Sequence, residues 1–168
     1  MSRLARSRKG QTSVEMLFIV GIILAGVVVI IPLYTQESGD SVMLAAVRDA
    51  AAQAAVYIET GVISDKGEYA ALNDVIEKYT EYGSVGFRFA GLGVTSESDE
   101  KVTITVKFTH DLSSNSSRDS KIAKNVGEFF KEYLKDVRGF RLDGGHLYYG
   151  GRLVEFNVTV GETREVVS

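Results

Sequence analysis

The chain has no cysteine and no tryptophan, one proline and two histidines among its 168 residues. The missing cysteine excludes disulfides, thiolate metal sites, cysteine nucleophiles and a lipid-modified cysteine. The two histidines, His110 and His146, leave few ways to build an imidazole-based metal or catalytic site. Asp111 follows His110 directly, but adjacent side chains of a strand point to opposite faces and make a poor base and orienting acid. We therefore predict that His110 lies at the surface and that His146 belongs to a hairpin.

Other catalytic and binding motifs are incomplete. Two glycines, Gly91 and Gly93, follow a predicted strand as in a dinucleotide-binding loop, but Ser96 replaces the third glycine and no helix follows. Asp143 precedes a glycine without the further acids of a calcium-binding loop. The sequence also lacks a nucleophile elbow and a metal-binding histidine pair. It thus predicts a protein that is not an enzyme, without catalytic residues, metal or cofactor.

Charge is distributed unevenly along the chain, whose net charge is −3. The first ten residues contain four basic side chains and no acid: Arg3, Arg6, Arg8 and Lys9. The rest of the chain has 15 basic and 22 acidic residues, a balance of −7. An acidic body disfavours nucleic acid as the partner of this larger part.

Residues 16–33 form an 18-residue run without a charged or hydrogen-bonding side chain. As a helix the run would span about 27 Å, close to the ~30 Å hydrocarbon thickness of a bilayer. It is longer than the apolar region of a secretory signal, and no convincing small-residue cleavage site follows it. The basic cluster before the run, and Glu37 and Asp40 after it, predict a cytoplasmic N-terminus and an external body.

A single acid, Glu15, stands where the apolar run begins, after the polar residues Gln11, Thr12 and Ser13. An acid in a membrane segment is costly, and such residues are functional by default. The plainer interpretation is an interfacial carboxylate that the positive end of the helix dipole stabilises.

The order of these residues resembles the class III signal peptide of archaeal type IV pilin-like proteins. That family has a Gln-x-Ser-x-Glu step between a basic cluster and an apolar run, and here Gln11, Ser13 and Glu15 follow Arg8-Lys9-Gly10. The leucine that the family places four residues after the glutamate is isoleucine in this chain. The resemblance covers residues 1–35 only.

The resemblance implies that a prepilin-type peptidase cuts between Gly10 and Gln11, and that mature subunits polymerise through their N-terminal helices into a cell-surface filament. The cut creates an α-ammonium group on Gln11, and Glu15 is its nearest acid, four residues along the same helix. In the family this glutamate pairs with the N-terminus of a neighbouring subunit. The residues alone leave an intrachain and an interchain partner equally open.

Three stretches of the remaining chain show helical spacing, namely 36–60, 67–82 and 119–138. The first contains an alanine-rich stripe, which we expect to pack against its own domain, with contact between subunits as the alternative. The stripe consists of Val42, Ala45, Ala46, Ala52, Val56 and Tyr57.

Period-two alternation predicts strands at 85–89 and 102–108, joined by a polar turn. A Gly-Gly pair between residues 146–149 and 153–160 predicts a second hairpin. Helices and hairpins together predict an α+β fold. With the resemblance, the expected architecture is pilin-like: a long N-terminal apolar helix followed by a small α+β head with antiparallel hairpins.

The sequence therefore predicts three parts. Residues 1–10 are a basic leader peptide that is removed, residues 11–35 are a transmembrane and filament-core helix, and residues 36–168 are an extracellular head. Two triplets in the head, beginning at Asn115 and Asn157, match the N-glycosylation pattern, and the one at Asn157 falls in a predicted strand.

Two functions of different classes follow from these features. The first is a structural subunit of an archaeal pilus-like filament, with other pilin subunits, the prepilin peptidase and, before assembly, the membrane as its partners. The second is an uncleaved, membrane-anchored binding protein or adhesin that acts alone.

Overall fold

The computed structural model describes the backbone of residues 9–168, with side chains at residues 16–25 and 39–168. The chain divides into two compact units, Met1–Ser41 and Val42–Ser168. The second unit combines helices with a six-stranded mixed sheet. The α+β class predicted from the sequence is therefore confirmed.

Residues 9–168 contain three α-helices: α1 at Lys9–Thr60, α2 at Ala70–Val75 and α3 at Ser116–Leu134. A 3-10 turn, Gly67–Tyr69, precedes α2, and a π-helical turn, Ile76–Thr80, follows it. The helices expected at 67–82 and 119–138 are thus confirmed with small shifts at their ends.

A glycine ends α1. Gly61 has a φ of +65°, and a Cβ atom there would lie 2.7 Å from the carbonyl oxygen of Tyr82. Both the left-handed backbone and the close approach exclude a side chain at this position.

The strands are β1 at Arg88–Glu97, β2 at Lys101–Thr109, β3 at Phe140–Asp143, β4 at His146–Tyr149, β5 at Arg152–Val160 and β6 at Thr163–Val167. Their order is β1-β2-β5-β4-β3, and β6 also pairs with β5. The β1–β2 and β4–β5 hairpins expected from the sequence are present.

The centre of the sheet is a parallel pair, which the expectation of antiparallel hairpins did not include. Strands β2 and β5 run parallel from Lys101 opposite Leu153 to Phe108 opposite Val160. Parallel neighbours need a long connection, and α3 with the β3–β4 hairpin lies in the chain between them.

The strand expected at 85–89 was misplaced. Strand β1 begins at Arg88 and continues to Glu97 through Gly91 and Gly93, with two register irregularities against β2. Pairing along β2 outweighs the low strand propensity of glycine, so a stretch that looked like a loop is an edge strand.

The core lies on one face of the sheet. Alternate residues of β2 and β5 face it: Val102, Ile104, Val106, Phe108, Val154, Phe156, Val158 and Val160, all nearly fully buried. From α3, Phe130 packs edge-on against Phe156, with ring centroids 5.2 Å apart, and also contacts Phe108. Such aromatic packing contributes beyond the buried area alone.

A glycine in α3 brings that helix close to the last strand. A Cβ atom at Gly127 would lie 2.4 Å from a methyl carbon of Val167 in β6. The absence of a side chain therefore sets the closest approach between α3 and the sheet.

Candidate functional site

The described part of the apolar run is exposed on all sides. Its large side chains are 50–75% accessible: Met16, Leu17, Phe18, Ile19, Val20, Ile22, Ile23 and Leu24. A helix that is apolar all round is covered by lipid or by other helices in its working state. This segment is consequently the first candidate assembly surface.

The predicted processing residues precede this segment. Arg8 and the side chains of Lys9, Gln11, Ser13 and Glu15 lie outside the described residues. The peptide bond between Gly10 and Gln11 and the pairing of Glu15 remain predictions from the sequence.

The C-terminal part of α1 buries one face in the domain. This face consists of Met43, Val47, Ala50, Ala51, Ala54, Ala55 and Ile58, each at most 7% exposed. The stripe expected to pack there is confirmed only for Ala46 and Tyr57, which lie partly buried against the core. It was wrong for the other four residues, since Val42 is 57% and Val56 is 63% exposed and Ala45 and Ala52 are also exposed. Alanines lie on both faces of this helix, so helical spacing alone does not distinguish the buried face from the exposed one. The buried face is the one that carries the larger side chains of Met43, Val47 and Ile58, because their burial contributes more free energy.

The outward face of the same segment carries four exposed apolar residues with an acid among them. Val42, Ala45, Ala52 and Val56 are exposed, at spacings of three, seven and four residues, and the exposed Asp49 occupies the heptad position between Ala45 and Ala52. The alanines permit close approach of another helix, and Asp49 makes this face only partly apolar. We call these four residues the outer stripe.

A carboxylate at the end of α1 holds the segment that leads into β1. Glu59 accepts hydrogen bonds from the backbone N–H groups of Phe87, at 2.8 Å, and Val85, at 3.3 Å, and from the hydroxyl of Ser84. The hydrogen bond from Ser84, followed by the bond from the Phe87 amide, lowers the pKa of Glu59 below its ordinary value. Glu59 therefore connects, by hydrogen bonds, the segment before β1 to the helix that carries the outer stripe.

We expect Glu59→Gln to destabilise the domain at neutral pH by under about 1 kcal/mol, because the group is largely solvated and screened. Since the pKa of Glu59 is lower in the folded state, its stabilisation is present above the ordinary value of about 4.5 and is lost as the pH falls through the folded value. The variant should thus approach the stability of the natural chain in acid. Urea unfolding of the detergent-solubilised full chain, followed by tyrosine fluorescence, measures this convergence.

The matched control is Glu162→Gln, since Glu162 is exposed and forms no hydrogen bond or ion pair among residues 39–168. The control should match the natural chain at every pH. A constant difference between Glu59→Gln and the natural chain from neutral to acid pH would contradict the role of the carboxylate charge.

The side chain of His110 is buried, so its predicted surface position was wrong. Its side chain is 4% exposed, as is that of Asp119 in the first turn of α3. Nδ1 of His110 accepts the backbone N–H of Leu112 at 3.2 Å, which places the proton of the neutral ring on Nε2. Nε2 lies 3.3 Å from Oδ1 of Asp119 and faces this carboxylate without forming a well-aligned hydrogen bond.

The same carboxylate also accepts hydrogen bonds from Arg118. Nε and Nη2 of Arg118 lie 3.1 and 3.0 Å from Oδ1 of Asp119, and Nη2 also donates to the carbonyl oxygen of Ser113. This cluster of His110, Arg118 and Asp119 joins the end of β2 to the start of α3.

The two N-glycosylation candidates differ in accessibility. Asn115 is exposed, and its side-chain oxygen caps α3 by accepting the backbone N–H of Arg118 at 3.1 Å, so its amide nitrogen is not used in this bond. Asn157 is 2% exposed in the middle of β5. A glycan cannot be attached to a side chain enclosed in the folded sheet, so burial argues against Asn157 as an acceptor.

Within the described part of the chain, no group of three histidine, aspartate or glutamate side chains is placed to hold a metal ion. His146, at the start of β4, belongs to the β3–β4 hairpin, as the sequence predicted.

One described helical segment, Gly39–Thr60, is long and apolar enough to cross a membrane by length and composition. Its inner face is built into the core, which is the behaviour of a core helix of a folded domain. The ten-residue segment Met16–Ala25 is the other apolar helical stretch among the described residues.

Comparisons with protein families, with curated proteins and with solved structures find no match to this chain.

Proposed function

We propose that the chain is a structural subunit of an archaeal type IV pilus-like surface filament. It is made as a membrane precursor, cut by a prepilin-type peptidase between Gly10 and Gln11, and polymerised through its N-terminal helix. The observation that carries the proposal is the Gln11-x-Ser13-x-Glu15 step between a basic cluster and an apolar run.

Removal of the leader is a physical requirement of such an assembly. In the filament the apolar helices pack together, and four basic side chains cannot enter an apolar core unpaired without a cost of several kcal/mol each. The same basic residues hold the precursor's N-terminus in the cytoplasm. The cut therefore releases the subunit and removes the unfavourable charges in one step.

The exposure of Met16–Ala25 supports the proposal. A helix that is apolar on every side needs an apolar environment both as a membrane precursor and as a filament subunit. Lipid covers it in the precursor and neighbouring helices cover it in the filament. In the pilin-like arrangement the long apolar helix leads into the head, and the outer stripe offers a second helix-packing surface beyond the membrane segment.

Electron microscopy of the cell surface tests this function. We expect filaments whose main protein is this chain, and we expect deletion of the chain's gene to remove them. Cells that display the protein as dispersed, membrane-anchored molecules without filaments would favour the uncleaved binding protein or adhesin.

A further inference from the structure

The face of the sheet opposite the core carries a groove of about 740 Å³. It runs along the edge strand β1 and crosses β2, β5 and β6, and no residue of a helix lines it. Binding sites for small ligands and short polymer segments have volumes of this order.

The sheet register aligns the groove's polar residues in one row. Gly91 of β1 lies opposite Lys107 of β2, Lys107 opposite Thr159 of β5, and Thr159 opposite Arg164 of β6. Lys107 and Arg164 stand two strands apart, about 10 Å between their backbones, on the same face. Two positive side chains therefore project from one row of the groove.

These two cations lack partners within the domain. Among residues 39–168, neither Lys107 nor Arg164 forms an ion pair or a side-chain hydrogen bond. The other basic residue on this face of β2, Lys101, is paired with Glu155 at 2.8 Å. No acid lines the groove, although the chain beyond its leader is acidic. The groove is therefore a basic site on a domain whose other charges are mostly negative.

The rest of the lining combines three apolar side chains, Ala90, Leu92 and Val94, with groups suited to a hydroxyl-rich ligand. Thr95 and Thr105 bring hydroxyl groups together at 2.5 Å, and Thr159 adds a third between the two cations. Gly91 and Gly93 leave the backbone of β1 uncovered, since a Cβ atom at either position would meet no atom within 4 Å. The lining contains no aromatic ring, whereas single-stranded nucleic acids bind on aromatic stacking platforms.

We propose that this groove binds an acidic polysaccharide. Lys107 and Arg164 pair with successive negative groups of the polymer, and the threonine hydroxyls and the bare β1 backbone hydrogen-bond its sugar hydroxyls. The groups on the polymer are carboxylates or sulfates, which share this chemistry. The inference goes beyond filament formation and holds whether or not the chain polymerises.

The test is binding of the full chain, purified in non-ionic detergent, to polygalacturonate and to dextran sulfate, with neutral dextran and single-stranded poly(dT) as comparison polymers. We expect one or both acidic polysaccharides to bind, more weakly as salt rises, and neutral dextran not to bind. The polymer that binds more tightly identifies carboxylate or sulfate as the preferred group.

Two variants locate the binding. Lys107→Gln should weaken it about fivefold, the upper range for one exposed charge pair. Gly93→Glu should weaken it further, because it adds a negative charge to the groove at a position where a side chain meets no other atom. The matched control is Lys121→Gln, which makes the same change in net charge at an exposed position of α3 and should have no effect.

Three results would overturn the proposal. They are failure of both acidic polysaccharides to bind, unchanged binding by Lys107→Gln and Gly93→Glu variants with natural circular dichroism, and tighter binding of poly(dT) than of either polysaccharide. The presence or absence of surface filaments does not affect any of these results, so this proposal and the filament proposal can fail separately.

Discussion

Replacing Glu15 by leucine is expected to leave the chain inserted in the membrane and to remove its surface filaments. Leucine suits the apolar run better than glutamate, so insertion should not suffer. The α-ammonium group of Gln11, however, would enter the helix core without a carboxylate. Loss of one partner of a buried ion pair costs about 3–5 kcal/mol, which is more than 100-fold in the constant for subunit addition.

The matched control is Glu37→Leu, the same replacement at the acid that follows the other end of the apolar run. We expect filaments to persist in that variant. Quantitative immunoblots of sheared filaments and of membranes separate assembly from insertion. Normal filaments from the Glu15→Leu chain would exclude the assembly role of Glu15 and favour a simple anchor.

Replacing Asp119 by alanine is expected to destabilise the head by about 3 kcal/mol, the low end for a broken buried pair because Arg118 keeps some contact with water. The substitution removes the acceptor of both hydrogen bonds from Arg118 and the carboxylate that lies 3.3 Å from Nε2 of His110. Urea unfolding of the detergent-solubilised full chain, followed by tyrosine fluorescence, measures the change in the free energy of unfolding.

An exposed ion pair of the same domain provides the control. Asp111 lies 3.4 Å from Arg88, and both side chains are about 70% exposed. Asp111→Ala should therefore change the free energy of unfolding by less than about 0.5 kcal/mol. A double-mutant cycle between His110→Gln and Asp119→Ala should give a coupling of about 1 kcal/mol. Equal effects of Asp111→Ala and Asp119→Ala on the free energy of unfolding would show that the buried cluster does not stabilise the head more than an exposed ion pair does.

The sequence carries a signal for the burial of Asp119 in the spacing of its apolar neighbours. Ile122 and Val126 follow Asp119 by three and seven residues, so all three lie on one face of α3, the face that enters the core. An acid on such a face needs a buried partner. The partner itself could not be predicted, because the contact between His110 and α3 depends on the fold.

Local signals predicted most of the individual elements but not their pairing. The β4–β5 hairpin followed from its Gly-Gly turn, and α3 from its helical spacing. The parallel pairing of β2 with β5 joins residues about fifty positions apart, and no local pattern encodes it. The short strands β3 and β6 gain their stability from neighbouring strands rather than from their own residues.

The groove could not be predicted from the sequence either, because it depends on strand pairing. Lys107 and Arg164 lie far apart in the sequence, and neither belongs to a motif. They share one row only because β2 and β6 both flank β5, one on each side. The processing motif differs from the groove, because it consists only of the order and spacing of residues along the chain. It can therefore be recognised without the fold.

Mass spectrometry of the N-terminus of the surface-exposed protein tests the central proposal most directly. We expect a mature chain that begins at Gln11, with residues 1–10 absent. We also expect a precursor that cannot be cut after Gly10 to stay in the membrane fraction. Surface-exposed protein that still begins at Met1 or Ser2 would contradict processing by a prepilin-type peptidase and, with it, assembly through the helix that the cut releases.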